Sequence, residues 1–298
     1  MNFTFYKGVL SGGIRVSVSK KKKIFITILT VIMCIVWGIW SNVTIGITHY
    51  TITNNKIPSS FNHYKIVVLS DLHNAQFGKN NYQIISSVER ECPDMIAITG
   101  DLVDSNQTDF HVAIELVEKL TTIAPCFYVT GNHEARLDKQ FLQLEHKLLE
   151  NDVAILHDTA INLKKNNDII HIAGLDDPDF TDRDSLIHQS ILETKLDQMN
   201  LSQDYCILLS HRPERFQAYV NKDIDLVLSG HAHGGQFRLP FIGGIIAPNQ
   251  GFFPKYDSGI FSQKNTTMIV SRGIGNSIIP IRINNRPEIV SIELHYHE

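Results

Sequence analysis

No acidic side chain occurs before Asp71, so the segment ahead of it carries positive charge alone. Six cations lie before residue 24: Lys7, Arg15 and the run Lys20 to Lys23. They leave 21 basic against 31 acidic residues in the rest of the chain, a net charge near −10. So acidic a body excludes nucleic acid as the main partner. Cysteine is equally scarce. The four residues Cys34, Cys92, Cys126 and Cys206 form no C-x-x-C pair, which excludes a disulfide framework and a thiolate zinc site. Cys126 and Cys206 stand in apolar runs and are expected in the core. Internal repeats and low-complexity tracts are absent too, which leaves one large globular domain or two small ones.

What the front of the chain does contain is a long apolar run. "IFITILTVIMCIVWGIW", Ile24 to Trp40, has 17 residues without charge. A membrane-spanning helix needs about 17–25 residues, whereas a signal-peptide core is shorter, about 7–15. The run therefore reads as a retained anchor over 24–47, preceded by a basic cytoplasmic segment, 1–23. The lysines place the remainder outside the cytoplasm at a cell membrane. Residues 48–62 are polar without clear periodicity and read as a linker, and 63–298 as the main domain.

Within that domain short β-branched runs alternate with amphipathic ones. "KIVVLS", "MIAIT", "CFYVT", "IIHIAG", "YCILLS", "DLVLS", "MIVS" and "EIVSIEL" predict strands. "NYQIISSVERE", "FHVAIELVEKLTTI", "LDKQFLQLEHKLLEN" and residues 184–199 predict helices. Alternation of this kind implies a layered α/β fold.

Five of the runs end in the same kind of punctuation: "VVLSDLH", "IAITGDLVD", "FYVTGNHE", "ILLSHRPE" and "LVLSGHAHGG". Functional groups in α/β sheets gather at the carboxyl ends of strands. The five loops thus bring Asp71, His73, Asp101, Asp104, Asn132, His133, His211, His231 and His233 toward one rim. Oxygen and imidazole donors without thiolate suit manganese, iron or zinc. Nine groups are too many for one tetrahedral ion and suit two ions sharing a carboxylate. Such a pair holds a bridging hydroxide and clamps a phosphate oxygen. A metallo-β-lactamase-type centre would need an H-x-H-x-D-H run, and none is present.

The series "DLH", "GDLVD", "GNHE", a lone His before "RPE", and "GHAH" resembles the calcineurin-like metallophosphoesterases over residues 64–298. The stretches "GGQFRLPF", "PKYDSGIF" and "SRGIGNS" further resemble a membrane-anchored bacterial branch. The resemblance implies a four-layer α-β-β-α sandwich and a metal-dependent phosphoester hydrolase, phosphodiesterase or phosphatase, with two divalent ions. Carried over residue by residue, it gives one ion Asp71, His73, Asp101 and His233. It gives the other Asp101, Asn132, His211 and His231. His133 would then act as a catalytic acid over the site and Asp104 would orient it. Manganese is the first expectation, with iron or zinc as alternatives. Ser105 and Asn106 stand where protein serine/threonine phosphatases carry arginine and glycine, which counts against a phosphoprotein substrate. Two further readings remain. One is a lipid-linked pyrophosphate hydrolase, suggested by the apolar loop Phe237 to Phe261. The other is a membrane-tethered protein that binds metal without catalysis. Arg212 reads either as a phosphate contact or as a surface arginine, and Asp176 and Asp177 as turn residues or as a border of the site.

Overall fold

The computed structural model describes residues 19–107, 109–199, 201, 203–276 and 279–297. Most of the basic N-terminal segment, residues 1–18, lies outside them. The chain divides into two compact units, residues 1–39 and 40–298.

The first unit is the apolar helix. Helix α1, Lys20–Val43, has 24 residues and a mean hydropathy of 2.3 over its most apolar window. At 1.5 Å per residue it is long enough to cross a bilayer. Its large side chains are exposed all round, so no polar face exists to meet water. The helix begins at the lysines and ends at Val43, four residues short of the expected boundary.

The stretch expected to be a linker is not one. Gly46–Asn54 forms strand β1, and a short 3-10 turn follows at Ser59–Phe61. The signal was an alternation of Ile, Thr and Tyr with no charge. It reads as polar on composition, yet β-branched and aromatic side chains fit a pleated surface. Strand β1 runs parallel to β12, Glu288–Tyr296.

The remaining strands are β2 Tyr64–Leu69, β3 Met95–Thr99, β4 Cys126–Val129, β5 Ala154–Ile155, β6 Thr159–Lys165 and β7 Asp168–Gly174. They continue with β8 Cys206–Leu209, β9 Leu226–Ser229, β10 Gly259–Gln263 and β11 Thr266–Val270. They make two six-stranded sheets, β1-β12-β2-β3-β4-β5 and β10-β11-β9-β8-β7-β6. Val290 of β12 lies between Thr48 of β1 and Val68 of β2. Strands β2, β3 and β4, and β7, β8, β9 and β11, run parallel to their inner neighbours and are covered on both faces, which is why they read as continuous apolar runs, whereas β12 is antiparallel to β2. The edge strand β6 is half exposed and carries Lys164 and Lys165, which discourage pairing with another chain.

Three layers of buried side chains result. Ile66, Val68, Met95, Ile207, Leu209, Leu228 and Val290 pack between the sheets. Helices α2 Tyr82–Glu91, α3 His111–Leu120 and α5 Phe141–Glu150 cover the first sheet. Helices α6 His188–Gln198 and α7 Phe216–Asn221 cover the second. The four-layer α-β-β-α sandwich is therefore the observed architecture. Each fully buried aliphatic side chain contributes about 1.5–3 kcal/mol. That burial clamps the sheets face to face and fixes the spacing between loops at their shared rim. Cys126 and Cys206 are buried in these layers, as expected.

Candidate metal centre

Both sheets present the carboxyl ends of their strands on one rim. Strand β2 delivers Asp71 and His73, β3 Asp101, and β4 Asn132 and His133 on the short helix α4, Asn132–Arg136. From the second sheet, β8 delivers His211 and β9 His231 and His233. Five of these residues have left-handed backbones: Asp71 (φ 53°), His73 (46°), Asp101 (52°), His231 (65°) and His233 (46°). That conformation costs an L-residue roughly 1–2 kcal/mol, and it clusters where function needs it. It turns the chain within a few residues of the strand end. A glycine precedes Asp101, Asn132 and His231. At Gly230 a Cβ would strike Ser70 and the Asp71 carboxylate, and at Gly131 it would strike Asp101. Glycine is required there for close approach.

The turns are held by backbone bonds to the side chains they bring together. Asp71 accepts from the His231 amide at 3.0 and 3.1 Å, which ties the two sheets. Asp101 Oδ1 accepts from the His133 amide at 2.8 Å. Glu134, missed by sequence reasoning, is the centre of the scaffold. Its buried carboxylate accepts from the amides of Asp101 (2.8 Å), Leu102 (2.8 Å), Val103 (3.2 Å) and Gly131 (2.7 Å). Burial, reinforced by the Asp101 charge, raises its pKa to about 7. The sequence signal was only a Glu at the end of "GNHE", one of many surface-like carboxylates.

Two donor groups converge, and Asp101 belongs to both. Asp71, His73, Asp101 and His233 form one, and Asp101, His211 and His231 the other. In the first, His233 Nε2 lies 3.2 Å from His73 Nε2 and 3.4 Å from Asp71 Oδ1, and His73 Nε2 lies 3.5 Å from Asp101 Oδ2. In the second, His211 Nε2 lies 3.2 Å from both Asp101 Oδ2 and His231 Nδ1. Asn132 joins this group. Its amide oxygen faces His231 Nδ1 at 2.8 Å and His211 Nε2 at 3.3 Å, while its NH₂ faces the Arg136 guanidinium. Turning the amide over would make these contacts hydrogen bonds. As placed, the oxygen is one more donor aimed at a point shared with two ring nitrogens, as a cation requires.

The electrostatics fit the same occupant. Burial holds the His73, His231 and His233 imidazoles below their usual range, so they are neutral and free to donate a lone pair. Burial opposes charge on Asp101, but His211, His73 and His133 outweigh it and hold the carboxyl well below the carboxylate range. Burial likewise opposes charge on His211, and Asp101 overcomes it, lifting the pKa to about 10. A bound cation would displace that proton. The outer ring nitrogens are held in turn: His211 Nδ1 by Thr99 O at 2.7 Å, and His231 Nε2 by Asn249 Oδ1 at 3.0 Å. Such partners orient metal-binding imidazoles.

His133 belongs to neither group but converges with Asp104 on His73 of the first, its ring edge-on to His73 at 4.5 Å between centroids. The Ser105 amide donates to its Nδ1 at 3.1 Å, so the neutral ring carries its proton on Nε2. Asp104 is 3.5 Å from Nδ1 and spends Oδ1 on the amide and side chain of Asn106. Ser105 is thus the shorter contact, where sequence reasoning looked to Asp104.

Arg212 is neither a surface residue nor a free phosphate ligand. It is 2% exposed and bound by Asp177 at 2.6 and 2.8 Å and by Asp179 at 3.0 Å. Asp176 borders the rim through Thr130 Oγ1 (2.9 Å) and His157 Nδ1 (2.8 Å), and His157 Nε2 meets Glu145 at 2.7 Å. These bonds, that to Asp176 foremost, raise His157 to about 9. The unfolded value is about 6.5, so the contribution is complete below pH 6.5 and is lost as pH rises through 9. The gap in melting temperature between the native protein and a His157→Gln variant is expected to close between pH 6.5 and 9.5. A gap independent of pH would contradict the ion pair. On another surface His63, Glu293 and His295 also converge, and none belongs to the motif series.

A family model described as calcineurin-like phosphoesterase matches residues 64–235. An uncharacterized metallophosphoesterase of Bacillus subtilis, YkuE, is 30% identical over 256 residues, covering 83% of this chain and 84% of its own. A transmembrane protein with metallophosphoesterase domain from Danio rerio is 32% identical over 248 residues, 80% of this chain but 55% of its own. The phosphodiesterase YaeI of Escherichia coli is 27% identical over 236 residues, 78% of this chain and 82% of its own. The chain thus spans most of the Bacillus subtilis and Escherichia coli relatives and about half of the vertebrate one.

Proposed function

This chain belongs to the calcineurin-like phosphoesterase family and is a hydrolase of phosphoester bonds, and we propose that it works with two divalent cations held by seven side chains. Asp71, His73, Asp101 and His233 would hold one cation, and Asp101, Asn132, His211 and His231 the other. The observation that carries this reading is the sharing of Asp101 by two buried donor groups. Bound there, two cations would lower the pKa of water to near neutrality and neutralise phosphoryl oxygens. His133 then presents Nε2–H over the site and donates to the phosphoryl oxygens; when Nδ1 takes up a solvent proton beside Asp104, the resulting imidazolium gives its Nε2 proton to the leaving oxygen and returns to the neutral ring. The Ser105 amide holds the neutral ring in the Nε2–H tautomer, and the Asp104 side chain lies 3.5 Å from Nδ1. His133 separates this reading from a metal binder without catalysis, because holding metal does not need it.

Manganese is the proposed ion, on a donor set of carboxylate, amide and imidazole without thiolate. The reading puts the domain outside the cytoplasm, supported by the four lysines on the N-terminal side of the helix. A phosphodiester is the proposed substrate class, in line with the name of the Escherichia coli relative. Purified full-length protein, stripped with chelator and reloaded with manganese, iron or zinc, tests the proposal. Manganese should restore hydrolysis of bis(p-nitrophenyl) phosphate and bind at two ions per chain. Failure of all three metals to support mono- or diester hydrolysis would refute it.

A further inference from the structure

Past His233 the ligand loop runs directly into exposed apolar tips. The first is a small antiparallel pair, Arg238–Leu239 with Gly243–Gly244, whose turn carries Phe241 and Ile242. The second pairs Ile246–Ala247 with Gly251–Phe252 and presents Phe252 and Phe253. A third segment presents Ile281 and Ile283. The six side chains are exposed by 109, 61, 74, 64, 54 and 50% in that order. They form one neighbourhood. The Arg238 amide donates to Ile283 O at 2.9 Å, Gln236 Nε2 donates to Ile281 O at 2.7 Å, and the Phe253 amide donates to Ile245 O at 2.8 Å. Water-exposed surfaces seldom gather so many large apolar side chains. Each would be stabilised by cover from an apolar phase.

Asn42 indicates what covers them. Its side chain donates to Arg282 O and accepts from Arg282 N, both at 2.8 Å, so it clamps the peptide between Ile281 and Ile283. Asn42 follows the apolar run, which ends at Trp40. The Trp40 ring carries the Arg286 guanidinium at 4.4 Å, and tryptophan and arginine are residues of membrane–water boundaries. The end of a membrane-crossing helix lies at headgroup depth by covalent continuity. A peptide clamped to that end lies there as well.

We propose that these tips seat in the interfacial layer of a lipid bilayer, so that the unit docks through its own loops besides being tethered. The proposal rests on reading Lys20–Val43 as the anchor. Amphipathic elements of this kind enter about 5–10 Å. The loop carrying His231 and His233 would then be held near the depth of lipid phosphates. The matching substrate class is a phosphoester borne on a lipid, reached from the headgroup side.

Trp37 and Trp40 are the two tryptophans of the chain, so fluorescence in vesicles tests this. Full-length protein is reconstituted into phosphatidylcholine/phosphatidylglycerol vesicles with brominated acyl chains. A Trp37→Phe/Trp40→Phe background receives either Phe241→Trp or, as control, Leu142→Trp, a position 64% exposed on α5. Quenching at position 241 should exceed that at 142 several-fold. The anchor is read separately in the Trp40→Phe variant, where Trp37 alone remains. Quenching of Trp37 with none at 241 overturns the seat and leaves the anchor standing. No quenching at either overturns both. Shielding of position 241 from aqueous iodide without bromolipid quenching points to a second copy of the chain on the tips, and also overturns the proposal.

Discussion

An Asp101→Ala variant is expected to lose both cations and its turnover together, in a single step. Asp101 is the one side chain common to the two donor groups, so its removal opens both. A group that stabilises the transition-state charge is typically worth about 10²–10³ in rate. Losing two cations should therefore cost roughly 10⁴ or more. The comparison that isolates the ligand effect is Asp101→Asn. Asparagine tolerates the left-handed backbone at this position (φ 52°), and its amide oxygen can still accept the His133 N–H. This variant should keep its circular dichroism and much of its melting temperature while its metal content collapses. Retention of one ion per chain in Asp101→Ala would show that the two positions are independent and that the bridge assignment is wrong.

The second large effect is expected at His133, with the opposite signature. His133→Ala should keep its full metal content and lose roughly 10²–10⁴ in turnover, the usual scale of an acid–base group. The loss should fall on kcat, because the ring is proposed to act on charge that develops during reaction. It should also depend on the leaving group. An alkyl ester, whose alkoxide needs a proton, should suffer more than a p-nitrophenyl ester. Metal loss in this variant would mean that His133 is a ligand after all. Equal losses on the two esters would remove the proton-donor role and leave only charge stabilisation.

The site was more legible in the chain than the fold around it. Each motif residue follows an apolar strand, and the parallel run of these strands within each sheet brings all five ends to one rim. Position along the sequence therefore translated directly into position in space. Side chains that support the rim gave no such signal. Glu134 looks like any acidic residue one turn into a helix, and only its four amide partners disclose its part. Ser105 acts through its backbone, which every residue type possesses. Arg212 resembled a ligand for phosphate because arginine usually is exposed. Its carboxylate partners Asp177 and Asp179 come from a loop more than thirty residues away, a pairing that no local pattern records. Strand β1 was missed because its partner is distant too. Without charge or a strong apolar face, the pairing with β12 decides its structure more than its own composition does.

That pairing has a consequence for how the protein is made. Val290 stands between Thr48 and Val68, so the first sheet stays split until residues 288–296 leave the ribosome. Strands β1 and β2 emerge early, yet each waits with an open edge for a partner more than 200 residues downstream. Contacts of such separation form slowly, and unpaired edges invite association meanwhile. The first sheet therefore closes only once its last strand has been made. An anchor emerging first would keep the unfinished chains apart on a surface during that wait. Tethering would serve assembly as well as address.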